Sequence, residues 1–306
     1  MNESSDSPRI LLARALRQKH AHGETRVRLS TEERAALKRF LKAGGLLAQR
    51  RAPRDEARKP GPETRSPKTD PGTGHQETKT PDQPPPPETL ILAGADKAAQ
   101  MEHLRRVAMA CAQCPHLAAT RTQVVVGVGN IDAQLMFVGE APGADEDLQG
   151  EPFVGRAGQL LTKMIETMGL TRADVYIGNV LKCRPDMPKG STGNRQPTEK
   201  EMATCLPYLK AQIAIIRPRV IVTLGNTAIQ GLLGLSGAVG GHRGRWQQYG
   251  DIPVMPTYHP AYLLRNASLQ TKRRVWEDLL AVMEFLGMPI SEKQRGYFLA
   301  GRGGGP

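Results

Sequence analysis

The stretch from Gly139 to Leu161, GEAPGADEDLQGEPFVGRAGQLL, carries side chains suited to chemistry at a ligand site. Glu140 and Glu146 are carboxylate candidates for general acid–base work or for stabilising a positive charge. Phe153 offers an aromatic face, and Gly139 would let the backbone approach a ligand closely. The segment therefore indicates a ligand site, although a purely structural turn is an alternative interpretation of this segment taken alone.

Two further side chains of this kind also follow predicted strands. The apolar run Leu135–Val138 predicts a buried strand directly before the first segment. Asn179 and His259 come at or near the ends of later predicted strands. Because the carboxyl ends of parallel strands share one edge of a sheet, we expect Asn179, His259, Glu140 and Phe153 to surround one cleft at that edge.

The four cysteines form a second chemical pattern, made of Cys111-x2-Cys114 followed by Cys183 and Cys205. Four thiolates are a suitable ligand set for zinc or for an iron–sulfur cluster, and the spacing does not choose between the two. Four unrelated buried cysteines remain the alternative. Such a site would hold distant parts of the chain together without requiring redox chemistry.

The elements that must position these residues alternate between strands and helices. This alternation predicts an α/β fold with a mostly parallel sheet covered by helices on both faces. Within the helix that opens at Thr198, Pro207 predicts a kink or a later start. The predicted strands are Gln123–Val128, Leu135–Val138, Val175–Leu181, Val220–Leu224 and Val254–Tyr258. The main predicted helices are Asp96–Ala110, a helix whose apolar face includes Leu160 and Met168, Thr198–Ile216, a helix after Gly225, and Lys272–Leu286.

The composition divides the 306 residues into a folded part and flanking segments. Ten of the 24 prolines lie in residues 51–90, where large apolar residues are almost absent. Such a segment cannot bury enough apolar surface to offset its ordering entropy. We therefore predict a disordered basic extension at 1–90 with a possible short helix at 30–41, a folded domain at 91–290, and a flexible tail at 291–306.

The charge of the chain favours a polyanionic partner. The formal net charge is +12, and residues 1–90 hold 18 Lys and Arg against 12 Asp and Glu, so about half of the excess lies on the folded part. A basic domain suits DNA, although a basic protein with no nucleic-acid role is the alternative. The absence of long apolar runs and of a signal-peptide pattern predicts a cytoplasmic protein with no membrane contact.

Three blocks of the sequence resemble the signature motifs of family 4 uracil-DNA glycosylases, the iron–sulfur members of that superfamily. They are Gly139–Leu161, Asn179–Pro185 (NVLKCRP) and Thr257–Arg265 (TYHPAYLLR). The resemblance extends over about residues 95–290, and the cysteines match the family's cluster ligands in order. It implies a three-layer α/β/α sandwich, a [4Fe-4S] cluster on the four cysteines, and excision of uracil from DNA in base excision repair.

The resemblance also implies a role for each candidate side chain. Asn179 would read the edge of a flipped uracil, and Phe153 would stack on the base. His259 would stabilise the negative charge on the departing base. Glu140 would help to position water, and Glu146 would lie near uracil C5, where it could hinder the methyl group of thymine.

The resemblance also implies that the remaining matched residues contact the base or the DNA around it. Gly139 would lie against the bound uracil. Leu263 or Leu264 would wedge into the gap left by the flipped base, and Arg265 would meet a phosphate. We expect a monomer that acts on uracil-containing DNA near the nucleoid, with the partner of the N-terminal extension left open.

Two other functions remain as alternatives. A related branch traps uracil-DNA covalently through a His that lies between the Asn motif and the next helix, but residues 180–204 contain no His. Ala141 also stands where that branch has Gln. A non-catalytic iron–sulfur DNA-binding module is the third possibility, and it ranks lower because modules of that kind tend to lose the Asn or the His.

Overall fold

The computed structural model describes residues 90, 92–187 and 193–299. Its centre is a six-stranded sheet with the order β1-β3-β2-β4-β6-β5. Strands β3, β2, β4 and β6 are parallel, and the edge strands β1 and β5 are antiparallel to their neighbours. The strands are β1 (Val128–Gly129), β2 (Leu135–Gly139), β3 (Tyr176–Asn179), β4 (Val220–Leu224), β5 (Gln247–Tyr249) and β6 (Ile252–Thr257).

Helices flank both faces of this sheet. In chain order they are α1 (Lys97–Met109), α2 (Pro115–Thr120), α3 (Ala144–Gln149), α4 (Arg156–Thr167), α5 (Glu199–Ile216), α6 (Asn226–Leu233), α7 (Val239–His242), α8 (Pro260–Arg265), α9 (Leu269–Leu286) and α10 (Glu292–Arg295).

Alternation along the buried strands builds two separate cores. In β2, Phe137 packs with residues of α4 and α9 on one face of the sheet. Its neighbours Met136 and Val138 pack with residues of α5 and α6 on the other face. All five residues of β2 and of β4 are buried, as expected for strands covered on both sides. The predicted three-layer α/β/α sandwich with a mostly parallel sheet is confirmed.

The strand register brings the carboxyl ends of the parallel strands to one edge. Gly139 at the end of β2 is the partner of Asn179 at the end of β3. Leu224 at the end of β4 is likewise the partner of Thr257 at the end of β6. The loops that follow these four strands therefore begin side by side, and they contain the candidate residues.

The first predicted strand is shorter than expected. Only Val128 and Gly129 form β1, although Gln123–Val128 was the predicted span. Val124, Val125 and Val126 are nevertheless buried, and Val125 N donates to the main-chain oxygen of Lys182 at 2.8 Å. These valines therefore pack against the cysteine region rather than extend the sheet.

Helix α5 begins where its capping signal predicts. The Thr198 hydroxyl accepts from Glu201 N at 3.2 Å, and a Glu201 carboxylate oxygen accepts from Thr198 N at 2.7 Å. The helix continues through Pro207, so the predicted late start is wrong. The strong cap fixes the first turn well before the proline.

The end of the described chain packs against the domain. Residues 291–299 were predicted as the start of a flexible tail, but they include α10 and the buried Tyr297. The ring of Tyr297 lies 5.6 Å from that of Trp276, whose Nε1 donates to the Gln294 oxygen at 2.6 Å. That part of the prediction is wrong because Tyr297 completes the core beneath α9. The predicted extension at 1–89 with its helix at 30–41, and residues 300–306, lie outside the described residues.

Across the described part of the chain, no helix combines the length and apolar character required to span a bilayer.

Candidate active site

A cleft of about 670 Å³ lies at the sheet edge where the parallel strands end. The segments that follow β2, β4 and β6 contribute Glu140, Thr227 and His259 to its wall. Arg265 and Tyr262 of α8 line it as well. This is the edge at which open α/β sheets bind ligands, as the positions of Glu140 and His259 in the sequence predicted.

His259 is held as a neutral hydrogen-bond donor that faces this cleft. Its Nδ1 accepts from Ala261 N at 3.1 Å as it caps α8, so the ring proton must be on Nε2. Burial lowers the pKa of His259 to about 4, the nearby Arg265 acts in the same direction, and Glu146 opposes them. At neutral pH the imidazole can therefore donate from Nε2 without carrying a charge.

Phe153 lies against the His259 ring in a strained backbone conformation. The two ring centroids are 5.5 Å apart with planes inclined by 32°. Phe153 has φ +55°, which is unfavourable for a bulky residue. Arg172 holds this turn by donating to the main-chain oxygens of Phe153 at 3.1 Å and of Pro152 at 2.8 Å. Backbone strain that is maintained by surrounding hydrogen bonds in this way is typical of ligand sites.

Asn179 ends β3 with a buried oxygen that has no partner. The residue is 2% exposed, and within the described part of the chain nothing donates to its Oδ1. Leaving such an atom unpaired costs about 1–3 kcal/mol. A ligand that supplies a donor here would recover that free energy.

Gly139 allows Asn179 and Phe153 to approach each other. A Cβ atom placed on Gly139 would lie 2.4 Å from Asn179 Oδ1 and 2.4 Å from Phe153 Cζ. Any side chain at residue 139 would therefore displace one of them. Together with the contact between the rings of Phe153 and His259, this places Asn179, Phe153 and His259 in one contiguous group.

The candidate residues differ in their access to the cleft. Glu140 and His259 line its wall, whereas Asn179 and Phe153 are buried and do not line it. The predicted convergence at one sheet edge is therefore present as direct packing. The single open cavity that the sequence suggested for all four residues contains only two of them.

Glu140 is held by a hydroxyl across the cleft. Thr227 Oγ1 donates to Glu140 Oε2 at 2.5 Å. Burial raises the pKa of Glu140 above its ordinary value, and the bond from Thr227 acts against that shift. A partly desolvated carboxylate of this kind is a stronger base than an exposed one, which suits it to orienting and deprotonating water.

Glu146 braces the loop that contains Phe153. Its Oε1 accepts from Val154 N and Gly155 N, each at 2.9 Å, and its Oε2 accepts from Gly143 N at 3.1 Å. Both carboxylate oxygens are thus engaged with the main chain. This organising role is one that the sequence did not reveal, because it depends on how two turns fold back on α3.

The two leucines proposed as a wedge have different environments. Leu263 is 7% exposed and belongs to the core between α4 and α9. Leu264 is 42% exposed. The prediction that Leu263 could serve as a wedge is wrong because consecutive residues of a helix point about 100° apart, and α8 turns Leu263 inward. Leu264 remains a candidate, and Arg265 lies beside it at the cleft.

The four cysteines gather at one side of the domain. Cys111 and Cys114 lie between α1 and α2, Cys183 follows β3, and Cys205 lies within α5. All four belong to or pack against one apolar cluster.

The sulfurs lie close enough to influence one another. Burial raises the pKa of Cys114 to about 11 and of Cys205 to about 12, and in both cases Cys183 and Cys111 act in the same direction. Lys182 N donates to Cys205 Sγ at 3.2 Å, and Arg121 Nη1 donates to Cys183 Sγ at 3.0 Å. Such donors stabilise thiolates in cluster sites.

Within the described residues, no three of the thiol sulfurs are grouped as tightly as a single tetrahedral ion requires. A tetrahedral zinc site holds its sulfurs roughly 3.8 Å apart. In the described residues, His116, Asp186 and Glu201 are the only group of three or more candidate ligands whose atoms all lie within 4.8 Å. The thiols are therefore spaced more widely than a single zinc ion requires. Arg195 forms ion pairs with Asp186 and Glu201, so this carboxylate group already has its cation.

Lys182 is a buried residue that the sequence analysis missed. It is 1% exposed, and its Nζ donates to the main-chain oxygen of Asn179 at 2.7 Å and to Gln212 Oε1 at 2.6 Å. The available signal was a lysine within the otherwise apolar run Val180–Cys183. Such a position implies burial, because the flanking residues leave no polar face.

Comparison with known proteins shows the family to which the chain belongs. A family model described as "Uracil DNA glycosylase superfamily" matches residues 126–280. A type-4 uracil-DNA glycosylase of Thermotoga maritima is 48% identical over 178 residues, which cover 58% of this chain and 89% of that protein. A type-4 uracil-DNA glycosylase of Archaeoglobus fulgidus is 45% identical over 178 residues, covering 56% and 86% respectively.

A more distant relative belongs to a neighbouring group. A type-5 uracil-DNA glycosylase of Pyrobaculum aerophilum is 30% identical over 201 residues, which cover 55% of this chain and 86% of that protein. The type-4 proteins are thus the more similar of the two groups. With the α/β/α sandwich and the extent of these matches, the chain belongs to the uracil DNA glycosylase superfamily and, within it, to the type-4 uracil-DNA glycosylases.

Proposed function

We propose that this protein is a uracil-DNA glycosylase that hydrolyses the bond between uracil and deoxyribose and leaves an abasic site. The observation that carries the proposal is the buried, unpartnered Oδ1 of Asn179 beside Phe153 and a neutral His259. The relatives named as type-4 uracil-DNA glycosylases support the same activity. Uracil-containing DNA is accordingly the proposed partner.

Asn179 would select uracil through its amide. Uracil presents an N3–H donor next to the O4 acceptor, so Oδ1 would accept from N3 while Nδ2 donates to O4. Cytosine presents an acceptor at N3 and a donor at N4, which is the reverse order. A bound cytosine would leave buried polar groups unpaired, and such mismatches give strong discrimination.

Phe153 and Gly139 would hold the flipped base in the plane that Asn179 reads. Stacking on an aromatic ring contributes about 1–3 kcal/mol per base. Gly139 would serve this arrangement by lacking a side chain, since a Cβ there would collide with both Asn179 Oδ1 and the Phe153 ring. Glu146 would act near the C5 edge through the loop it braces, which limits the space for a methyl group there.

His259 would stabilise the departing base. When the bond between C1′ and N1 breaks, its electron pair leaves with uracil and places negative charge on O2. A donor aimed at such an oxygen contributes about 2.7–4 kcal/mol to the transition state. The Nε2–H of a neutral imidazole can supply it, and keeping the ring neutral avoids the cost of a second buried charge.

Glu140 would orient the water that completes the reaction. The water oxygen bonds to C1′ as the sugar loses the base, and the carboxylate accepts the proton that the water releases. The bond from Thr227 keeps one oxygen of Glu140 engaged, which leaves the other free for water. The negative charge of Glu140 also stabilises the positive charge that develops on the sugar.

Leu264 and Arg265 would contact the DNA around the flipped nucleotide. Extrusion of a base costs a few kcal/mol, and an exposed apolar side chain can fill the resulting gap. Leu264 is exposed and directly precedes Arg265, which lines the cleft and could contact a phosphate there.

A [4Fe-4S] cluster is the cofactor that we propose for the four thiols, on the strength of the donor set, its wide spacing and the N–H groups directed at sulfur. Bound there, it would act as a covalent cross-link and supply no redox step. Its ligands would be Cys111, Cys114, Cys183 and Cys205.

The test is incubation with an oligonucleotide that contains one uracil, followed by alkali. Strand scission only after alkali is expected, because an abasic site is alkali-labile. A protein–DNA adduct would instead indicate covalent trapping, and an intact strand would indicate a binding module. The matching oligonucleotide with thymine at the same position is the control.

A further inference from the structure

Lys182 is a buried lysine whose side-chain nitrogen donates only to neutral acceptors among the described residues. Its Nζ contacts the main-chain oxygen of Asn179 at 2.7 Å and Gln212 Oε1 at 2.6 Å. Among the described residues it forms no ion pair with a carboxylate. Burying a lysine without an anionic partner costs free energy, which its hydrogen bonds must offset.

The acceptors of Lys182 are themselves fixed. Gln212 is fully buried, and its Nε2 donates to the Val126 oxygen at 2.7 Å and to the Tyr176 hydroxyl at 2.9 Å. The amide of Gln212 therefore has one orientation, with Oε1 turned to Lys182. The lysine is thereby held between α5 and the end of β3.

The bond to Asn179 completes the immobilisation of one peptide group. Val180 N donates to the Gly139 oxygen at 3.0 Å, so the N–H side of the Asn179–Val180 peptide is fixed by β2. Lys182 fixes the carbonyl side of the same peptide. The Cα of Asn179 adjoins this peptide plane, so these two bonds help to fix the Cα from which its side-chain amide projects.

The same residue also contacts the cysteine group. Lys182 N donates to Cys205 Sγ at 3.2 Å, and Cys183 is the next residue in the chain. The main chain of Lys182 thus borders the thiols while its side chain holds Asn179.

We propose that Lys182 is a positioning residue that orients Asn179 for uracil and links the Asn179 amide to the cysteine group. The inference rests on the proposed function. A positioning role differs from a role in stability alone. If Lys182 positions Asn179, its effect on excision requires the Asn179 amide, whereas a stabilising effect does not.

A double-mutant cycle separates these two roles. Lys182→Met keeps the approximate volume of the side chain and removes its donors, and Asn179→Ala removes the amide. Single-turnover excision of uracil by the full chain is measured for the wild type, both single variants and the double variant. Lys210→Met, which changes an exposed lysine of α5, is the matched control.

If Lys182 acts through Asn179, Lys182→Met slows excision by about tenfold or more in the wild-type background. In the Asn179→Ala background the same change alters the rate by no more than about twofold, because coupled residues are non-additive. Affinity for a uracil-free duplex, and the visible absorbance per chain, stay at the wild-type level. Gln212→Leu gives a smaller loss with the same dependence on Asn179, and it serves if Lys182→Met does not fold.

Equal fold losses in both backgrounds would overturn the inference, and so would an unchanged rate or a parallel loss of visible absorbance. In each of these cases the wild type still excises uracil and the proposed function stands. A wild-type chain that excises no uracil in the same assay would overturn the proposed function, and this inference with it.

Discussion

The rings of Phe153 and His259 pack with their centroids 5.5 Å apart, so a strained aromatic turn and a neutral imidazole support each other. Neither residue depends on a ligand for its position, because Arg172 holds the turn and Ala261 holds the imidazole. A site whose groups are fixed in advance reorganises little during a reaction, which is a main source of catalytic rate.

His259→Ala is expected to lower the single-turnover excision rate by roughly 10²–10³-fold, since it deletes the proposed donor to uracil O2. The rate is measured on a uracil-containing duplex at neutral pH. Retention of the wild-type rate would exclude His259 from the chemical step.

The pH dependence of stability should also carry the signature of His259. Its pKa in the fold is about 4, below the ordinary 6.5, so between these values the unfolded chain binds a proton that the native protein does not. The contribution is complete above pH 6.5 and is lost as the pH falls toward 4. His259→Gln should therefore lose about 2 kcal/mol less stability than the wild type between pH 7 and pH 5 in denaturant titrations. Identical losses in the two proteins would contradict a depressed pKa.

Asn179→Asp is expected to reduce uracil excision by about 10²-fold, because a carboxylate offers no N–H to uracil O4. Its protonated form could pair with cytosine, so excision of cytosine should become detectable. Rates on matched oligonucleotides with uracil or cytosine measure both effects. A variant with the wild-type preference for uracil would remove Asn179 from the reading role.

The leucine pair offers a matched comparison on one short helix. Leu264→Ala should slow excision from duplex DNA by about tenfold and leave excision from single strands and the stability unchanged, because only the duplex has a gap to fill. Leu263→Ala should instead reduce the free energy of unfolding by about 2–5 kcal/mol, since it creates a cavity in the core. Urea titration and the two substrates distinguish these outcomes, and a reversed pattern would be incompatible with the burial of Leu263.

Glu146→Gln tests the brace beneath Phe153. The new amide would turn a donor toward a main-chain N–H of Gly143 or of Gly155, so a loss of about 1–3 kcal/mol in stability and slower excision are expected. Asp145→Asn removes the same charge from an exposed neighbour and should change stability by less than about 0.5 kcal/mol. Equal losses of stability and activity in the two variants would indicate that Glu146 acts only through its charge, and would contradict its role in holding the loop.

Loss of the proposed cluster should weaken the fold. Cys205→Ala is expected to abolish absorbance at about 400 nm and to lower the Tm by roughly 10 °C, because the proposed cross-link between α5 and the segment before α2 would be lost. Iron analysis and thermal unfolding of the variant measure this. A colourless wild type, or a variant with an unchanged iron content, would contradict the proposed cofactor.

Much of the site follows from local sequence because strand ends are easily recognised. The apolar run before Gly139, the short strand before Asn179 and the one before His259 each end where a polar or Gly-containing motif begins. Parallel pairing then requires those ends to meet, whatever the detailed packing. The order of layers and the shared edge were predictable on this basis.

Other features depend on contacts between distant segments and leave no local signal. Leu263 and Leu264 are chemically identical, and only the docking of α8 on α4 makes one buried and the other exposed. Tyr297 lies in a polar segment that resembles a tail until Trp276 packs against it. Lysine is usually exposed, and the burial of Lys182 depends on the acceptor that Gln212 provides from a distant helix.

The separation of the thiols along the chain affects how the protein is made. Cys111 and Cys114 leave the ribosome long before Cys205, which emerges only with α5. A cluster held by all four thiols, as proposed, could therefore be completed only after α5 has been synthesised. Until then Cys111 and Cys114 would be present without the full ligand set.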